Sequence, residues 1–410
     1  MSSTQVFSLL LGFYLVSVNL LIIPLDYFNV ERSILIIPYV FIFSLSLFFF
    51  ALATIGDFYK SPKQIFYVQV CFVFVIIIPS CLSFIQNTLL EVVPSMMRYM
   101  SYLFTFVFVY YFSAKNWFTV KNLDVSIKFI SIILFIFSIL QIVKGEMIYM
   151  NGAYRLSSIY GTTPAGFALI TLVFSVYFYS QLHVSDSGKL KKIFPFAFFM
   201  INVSMMALTQ SRQSIMTLLL LICIFHFVRA KNIFKFFSLI FILLLIYVFY
   251  LLVVNTDFFP RLTQMLFNYS SDSSTHTRIS IITQSYEHLD VNDLIYGIGL
   301  GGFNHFYYKI SGEIGVAAHN DFFLFFVEGG VIALFFYCLF LCGGVSFWGR
   351  AIKQQGDSYF TPLLVFCALY VFSFLNNPYY YPQVQVVASA LMGVYLSEYI
   401  KKQKVNYVLP

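Results

Sequence analysis

The sequence predicts an all-α, polytopic membrane protein of about a dozen transmembrane helices. It reads as a single transmembrane domain over residues 1–410 with one long loop, 255–318, inserted between the ninth and tenth spans. Three observations predict this: charge too sparse to cover a water-facing surface, apolar runs that recur at membrane-spanning length, and lysines that gather on alternate loops.

Of the 410 residues 60% are hydrophobic and 10% charged, with a mean hydropathy of +0.85. A water-soluble domain carries roughly a quarter charged residues, so this chain needs lipid as its solvent. The 52 phenylalanines and 30 tyrosines suit acyl-facing surfaces and interfacial belts. The net charge of +7 is spread over short loops and gives no nucleic-acid footprint.

A helix needs about 20 apolar residues to cross a core roughly 30 Å thick. Such runs lie near 5–24, 33–55, 65–85, 95–113, 125–143, 163–182, 193–210, 213–229, 234–254, 319–347, 360–375 and 384–400. The seventh and eighth are divided by the polar pinch Thr209-Gln210-Ser211-Arg212-Gln213 alone. The start, Met1-Ser2-Ser3-Thr4, lacks the basic segment of a secretory signal, and the first run reads as an uncleaved helix. The six cysteines all fall inside apolar runs without a CxxC pair, which points to neither a disulfide nor a zinc site.

With both termini in the cytoplasm, the inner loops and tail collect Lys60, Lys63, Lys115, Lys121, Lys128, Lys189, Lys191, Lys192, Lys231, Lys235, Lys353, Lys401, Lys402 and Lys404, with Arg229 and Arg350. This is the positive-inside bias. The outer cations are instead Arg32, Arg98, Arg155, Arg212, Arg261 and Arg278, with Lys144 and Lys309. Topology requires positive charge, and lysine supplies that inside; arginine outside calls for another reason. Its planar fork binds phosphate oxygens two at a time and never deprotonates. Arg32 and Arg98 are equally well explained as headgroup anchors or partners of nearby carboxylates.

The outer loop at 255–318 is too long to be a simple connection. It holds a helix near 276–289 and then the run Gly297-Ile298-Gly299-Leu300-Gly301-Gly302-Phe303. Gly297, Gly299 and Gly302 spell GxGxxG, but that fingerprint belongs to a βαβ unit; here the run reads as a turn that lets backbone approach a ligand or the bilayer closely. Of the histidines, His276, His288 and His305 read as surface residues, while His319 stands where the chain re-enters the membrane. The other sizeable outer loop, 144–162, carries Arg155 and Gly161. No internal repeat is visible, which weighs against transporter folds built from duplicated halves.

The tenth span opens His319-Asn320-Asp321 and reaches Glu328-Gly329-Gly330 further on. Together with the preceding glycine turn, Ser211-Arg212 at the start of the eighth span and Arg278 heading the loop helix, this pattern resembles the bacterial O-antigen polymerase and ligase family. The resemblance covers mainly 205–345 and implies a GT-C-like membrane architecture. Ligases tend to have Gly, Thr or Tyr where this chain has Ala333, which favours polymerase within the family.

The resemblance implies a metal-independent glycosyltransferase, without cofactor, in the bacterial inner membrane. It would move a glycan from an undecaprenyl diphosphate carrier on the periplasmic face, with lipid-linked oligosaccharide as donor and acceptor and a chain-length regulator as a further partner. Diphosphate is a good leaving group, so the transition state needs cation density on the phosphates and a base for the acceptor hydroxyl. Arg212 and Arg278, with Arg155 behind them, are the candidates for the first, and His319 for the second, because imidazole titrates near neutrality. Asn320 is placed to hold the ring or a sugar hydroxyl, Glu328 to orient a neighbour from inside the span, and Gly297 and Gly299 to shape the turn. Asp26 and Glu31 lack the close pairing of a metal site, and Asp290 and Asp293 read as turn caps. The alternatives are an O-antigen ligase delivering the chain to lipid A core and, from another class, a polysaccharide-lipid flippase.

Overall fold

The computed structural model describes residues 3–20, 32–54, 62–86, 89–150, 153–160, 163–184, 189–229, 247 and 273–408. The expected span at 234–254 (Tyr247 apart), the first part of the long loop with Arg261, and Gly161 lie outside the described residues. Each of the other expected spans coincides with a helix.

These are α1 (Ser3–Leu20), α2 (Arg32–Thr54), α3 (Lys63–Phe72) continued through a π-helical turn at Val73–Ile77 into α4 (Ile78–Gln86), α5 (Leu89–Ala114), α6 (Val120–Val143), α7 (Pro164–Val184), α8 (Lys189–Leu208) and α9 (Arg212–Arg229). The long loop contributes α10 (Ser273–Glu287), α11 (Val291–Tyr296) and α12 (Phe303–Ser311). The last helices are α13 (Asp321–Gln355), α14 (Phe360–Ser373) and α15 (Pro382–Val408). Among the described residues 8 helices are long and apolar enough to cross a membrane, and Ser8–Leu20 and Asp357–Ser373 are shorter apolar helices. The chain is an all-α polytopic membrane protein.

Local chemistry sets the helix ends. Pro164 and Pro382 stand at first helical positions, where the missing N–H costs nothing. Thr119 and Asn122 form a reciprocal capping box at the start of α6, with Asn122 Oδ1 accepting from Thr119 N at 3.0 Å. The polar pinch after α8 does divide two helices: Gln210 takes a left-handed φ of 56° between Leu208 and Arg212.

Helix α7 is the hub, with 83% of its spanning window buried, against 17% for α8. It packs on α8, α9 and α14. Helix α15 runs along α5 and is buried through Val384, Val387, Leu391 and Val394. At the lysine-rich end Lys401 Nζ donates to the Ser113 carbonyl at 2.5 Å and to Asn116 Oδ1 at 2.7 Å, tying α15 to the end of α5.

Two departures from a plain bundle gather at the opposite end. The loop at 144–162 forms an antiparallel hairpin, β1 (Ile148–Met150) with β2 (Ala153–Arg155), pairing Ile148 with Arg155. Helix α13 has 35 residues, roughly 50 Å of helix, and is broken at Gly330, whose φ of 66° and ψ of −170° are not helical.

Candidate functional site

The break in α13 is where the glycine run docks. A helix break orphans carbonyls that need donors. Ile298 N donates to the Val327 carbonyl at 2.9 Å and Gly299 N to that of Glu328 at 3.0 Å, so the turn pairs with the broken helix as a strand would. Leu300 N reaches Pro79 O at 3.2 Å, and Ser83 Oγ donates to Leu300 O at 2.9 Å, which fixes the turn to α4 as well. A Cβ on Gly297 would collide with the Glu328–Gly329 peptide, and one on Gly330 with the Ile295 carbonyl. Glu328, buried inside the span, accepts from the backbone N–H groups of Gly301 and of Phe303, the latter at 3.4 Å. It therefore orients the turn from within the membrane helix, as its position in the sequence suggests.

Upstream of the turn, Asp290 caps α11 by accepting from Asp293 N at 2.8 Å, and Asp293 returns the bond. Partial burial pushes the Asp293 carboxyl up. Downstream, Tyr307 of α12 donates to Gln284 Oε1 of α10 at 2.9 Å, with Ile281, Phe303, Leu324 and Val327 packed between them. This small core carries α10, and with it Arg278. Its Nη1 donates to the Leu375 carbonyl at 2.9 Å, in the segment between α14 and α15. His276, His288 and His305 are exposed, as expected of surface residues.

His319 lies one residue before the cap of α13, at a left-handed φ of 54° that few non-glycine residues adopt. The ring is half-buried and its Nδ1 is buried without a hydrogen-bond partner among the described residues, while a hydrogen bond between the ring and the Asn376 side chain, not through Nδ1, favours the protonated form. Burial, and then the charge of Arg278, push the imidazole down to about 4, against the opposing pull of Asn376. This environment favours the neutral ring and sets its titration below that of an ordinary imidazole. Asn320 does not hold it. Its Oδ1 caps α13 by accepting from Phe323 N at 3.0 Å, and its Nδ2 donates to Phe374 O at 3.2 Å.

The remaining arginines approach the same segment from the other side. Arg155 is 6% exposed, and its Nε donates to the Thr209 carbonyl at 2.8 Å, clamping the hairpin to the turn that launches α9. Arg212 is the first residue of α9 and half-buried. Its neighbour Gln213 accepts from Asn376 Nδ2 at 3.4 Å. Tyr381 senses Arg155 and Arg278 together, although burial outweighs both and pushes its hydroxyl up to about 12. The structure therefore brings His319, Arg278 and Arg155 around residues 374–381, with Arg212 next to Gln213, which bonds Asn376, at the end of the bundle opposite the lysine-rich loops.

Sequence reasoning missed that segment. Asp321, fully buried, accepts from Ser373 Oγ at 3.1 Å, from Asn377 Nδ2 at 2.9 Å and from the backbone of Tyr379. Tyr102 donates to the Tyr379 carbonyl at 2.7 Å, and the Arg98 guanidinium lies over the Tyr380 ring, 5.0 Å from its centre. Arg98 thus faces protein. The overlooked signal is Asn376-Asn377-Pro378-Tyr379-Tyr380-Tyr381-Pro382, a polar, proline-bounded run between the last two spans.

Residues 197–338 match the O-antigen ligase family profile. This stretch of the chain is similar to the O-antigen ligase family. The matched stretch contains Arg212, Arg278, His319, Asn320 and Glu328, and the family implies a glycosyltransferase-like membrane enzyme. Arg155 and the 374–381 segment lie outside the match. No curated protein sequence matches the chain.

Proposed function

We propose that this protein belongs to the O-antigen ligase family and is a polymerase of O-antigen or a related surface polysaccharide. It joins undecaprenyl-diphosphate-linked repeat units on the periplasmic face of the bacterial inner membrane, with both termini cytoplasmic. The observation that carries this reading is the convergence of one neutral histidine with Arg278 and Arg155 on the loop at 374–381, with Arg212 next to Gln213, which bonds the same loop.

In this reading the donor diphosphate lies against the guanidinium groups, which stabilise the negative charge that grows as the sugar–phosphate bond breaks. The arginines supply the cation density, so the proposed reaction is metal-independent. His319 takes the proton from the acceptor hydroxyl as that oxygen bonds to the sugar carbon, and undecaprenyl diphosphate leaves. A ring titrating at about 4 is a weak base. Because Arg278 is one cause of that low value, a diphosphate bound beside Arg278 offsets its charge and raises the basicity of His319. The base strengthens when the donor is in place.

Ligase is the second reading, favoured by the name of the matched family. Ala333, buried one turn below Gly329, stands where ligases tend to carry Gly, Thr or Tyr and supports polymerase. A deletion strain separates the two: core capped with one repeat unit means polymerase, and uncapped core with accumulating lipid-linked polymer means ligase. Purified protein that releases no undecaprenyl diphosphate from a lipid-linked repeat overturns both.

A further inference from the structure

Beneath the 374–381 segment lies a cavity of about 490 Å³, walled by α3, α5, α13, α14 and α15. That is within the roughly 300–1,000 Å³ of small-ligand pockets. Tyr379 and Gln385 stand at one end, Lys63, Trp348 and Arg350 at the other. Along α13 the lining runs from Phe325 to Arg350, roughly 35 Å at 1.5 Å per residue, about the depth of a bilayer core. The π-helical turn at Val73–Ile77 sets Val75 and Ile76 into the wall, a local widening of the kind often found at functional sites.

Five of the tyrosines that line the wall offer mainly ring faces, because their hydroxyls are hydrogen-bonded to protein. Tyr67 donates to Leu339 O at 2.6 Å, Tyr102 to Tyr379 O at 2.7 Å and Tyr337 to Ser373 Oγ at 3.4 Å, while Tyr370 and Tyr379 bond each other. A glycan would find few partners there. A long hydrocarbon chain would find aromatic and aliphatic surface throughout. One end of the cavity is roofed by Tyr379, in the segment whose Asn376 and Leu375 hold His319 and Arg278.

From this continuity we infer that the cavity is the binding site for the polyisoprenoid tail of the lipid diphosphate whose head group lies at the arginines, so that the tail runs down through the bundle instead of lying in bulk lipid. The inference rests on the proposed use of a lipid-diphosphate donor. It makes recognition of the carrier depend on chain length as well as on phosphate.

The test compares two donors with the same oligosaccharide, one on undecaprenyl diphosphate and one on a three-isoprene diphosphate. The wild-type protein is expected to show a KM about tenfold or more lower for the long donor, the scale of a filled apolar pocket. Ser389 lines the cavity, and Ser389→Phe is expected to collapse that ratio towards one. A second measurement needs neither turnover nor a variant: an undecaprenyl diphosphate carrying a diazirine at the far end of its tail should label α3 and α13 near Val68 and Phe347. Equal KM values for the two donors in wild type, or labelling confined to lipid-facing residues such as Phe129 and Phe194, would overturn the inference. So would equal labelling of the cavity by a diazirine-bearing phosphatidylglycerol. If wild-type protein turns over neither donor while the tail probe labels the cavity, the enzymatic reading fails and the tail site stands.

Discussion

The two loops that meet at the site are held in opposite ways. The glycine turn at 297–302 is fixed mainly by backbone: its amides pair with the carbonyls of Val327, Glu328 and Pro79, and the close approach leaves no room for a Cβ at Gly297. The segment at 374–381 is fixed largely by side chains, through Asp321, Asn377, Tyr102 and Arg98. Backbone docking demands glycine and accepts nothing else, whereas side-chain docking demands particular partners at distant positions. His319 sits where the two meet, hydrogen-bonded to Asn376 of the second loop and two residues ahead of the helix on which the first one docks.

The junction residue carries the largest expected effect. His319→Ala is expected to lower turnover by about 10²–10⁴-fold, the usual cost of a missing general base, while donor binding survives. His319→Gln keeps a hydrogen bond to Asn376 but does not accept a proton near neutrality, and it should fare little better. Substantial turnover by the glutamine variant, measured with donor binding on the same protein, would reduce His319 to a positioning group. The pH profile sharpens the assignment. Base action needs the neutral ring, so His319 contributes no loss in kcat/KM until pH falls towards about 4. The kcat profile, taken with diphosphate bound, should inflect at higher pH. The same depressed value makes protonation of the folded state unfavourable, so stability falls as pH drops from the ordinary 6.5 or so through about 4.

Arg278 comes next. Arg278→Lys keeps the charge but loses the planar fork and the reach to Leu375 O. Turnover should fall on the order of tenfold or more with weakened donor binding, at unchanged protein level. Full activity of this variant and of Arg212→Lys would show that positive potential suffices and that bidentate geometry contributes nothing.

The two modes of attachment can then be broken separately. Gly297 has φ 80° and ψ 171°, a region essentially closed to other residues. Gly297→Ala is expected to cost about 1–3 kcal/mol in strain besides the collision with Glu328, seen as a lower Tm and lost activity. Asn377→Ala removes a hydrogen bond to buried Asp321 and leaves that carboxyl short of a partner, at a cost of about 1–3 kcal/mol. The alanine at 297 should also loosen the turn against α13, raising proteolysis or hydrogen exchange across 297–302, while the one at 377 should raise exchange across 374–381. Identical exchange patterns in the two variants would mean that the loops form one cooperative unit.

This contrast also explains what the sequence disclosed. The spans were legible because apolar length is a local property, and the glycine turn because backbone docking leaves glycines in a row. His319, Arg212 and Arg278 were legible through the family resemblance and Arg155 through the surplus of arginine in the outer loops, and the structure sets His319, Arg278 and Arg155 beside one loop. The segment at 374–381 was not legible. Its anchors, Asp321 and Tyr102, lie more than fifty residues away in the chain, and nothing local marks Asn376 as the partner of a histidine. The capping role of Asn320 was not legible for the related reason that a capping asparagine and a ligand-holding one look alike before the helix start is known.

That ambiguity gives the smallest expected effect. Asn320 Oδ1 caps α13 through Phe323 N, and Nδ2 reaches across to Phe374 O. Loss of an N-cap costs about 1 kcal/mol, far less than loss of a base. Asn320→Ala should therefore lower Tm by a few degrees at most and leave turnover within about threefold of wild type. Asn320→Asp keeps the cap and puts a negative charge at the helix N-terminus, where the dipole favours it, but it gives up the donor to Phe374 O. If the asparagine serves the helix, the aspartate variant should recover most of the lost stability, with the 374–381 segment slightly looser in hydrogen exchange. If the residue instead held the ring or a sugar hydroxyl, both variants would lose turnover far more than stability, and the division of labour between Asn320 and Asn376 would have to be reversed.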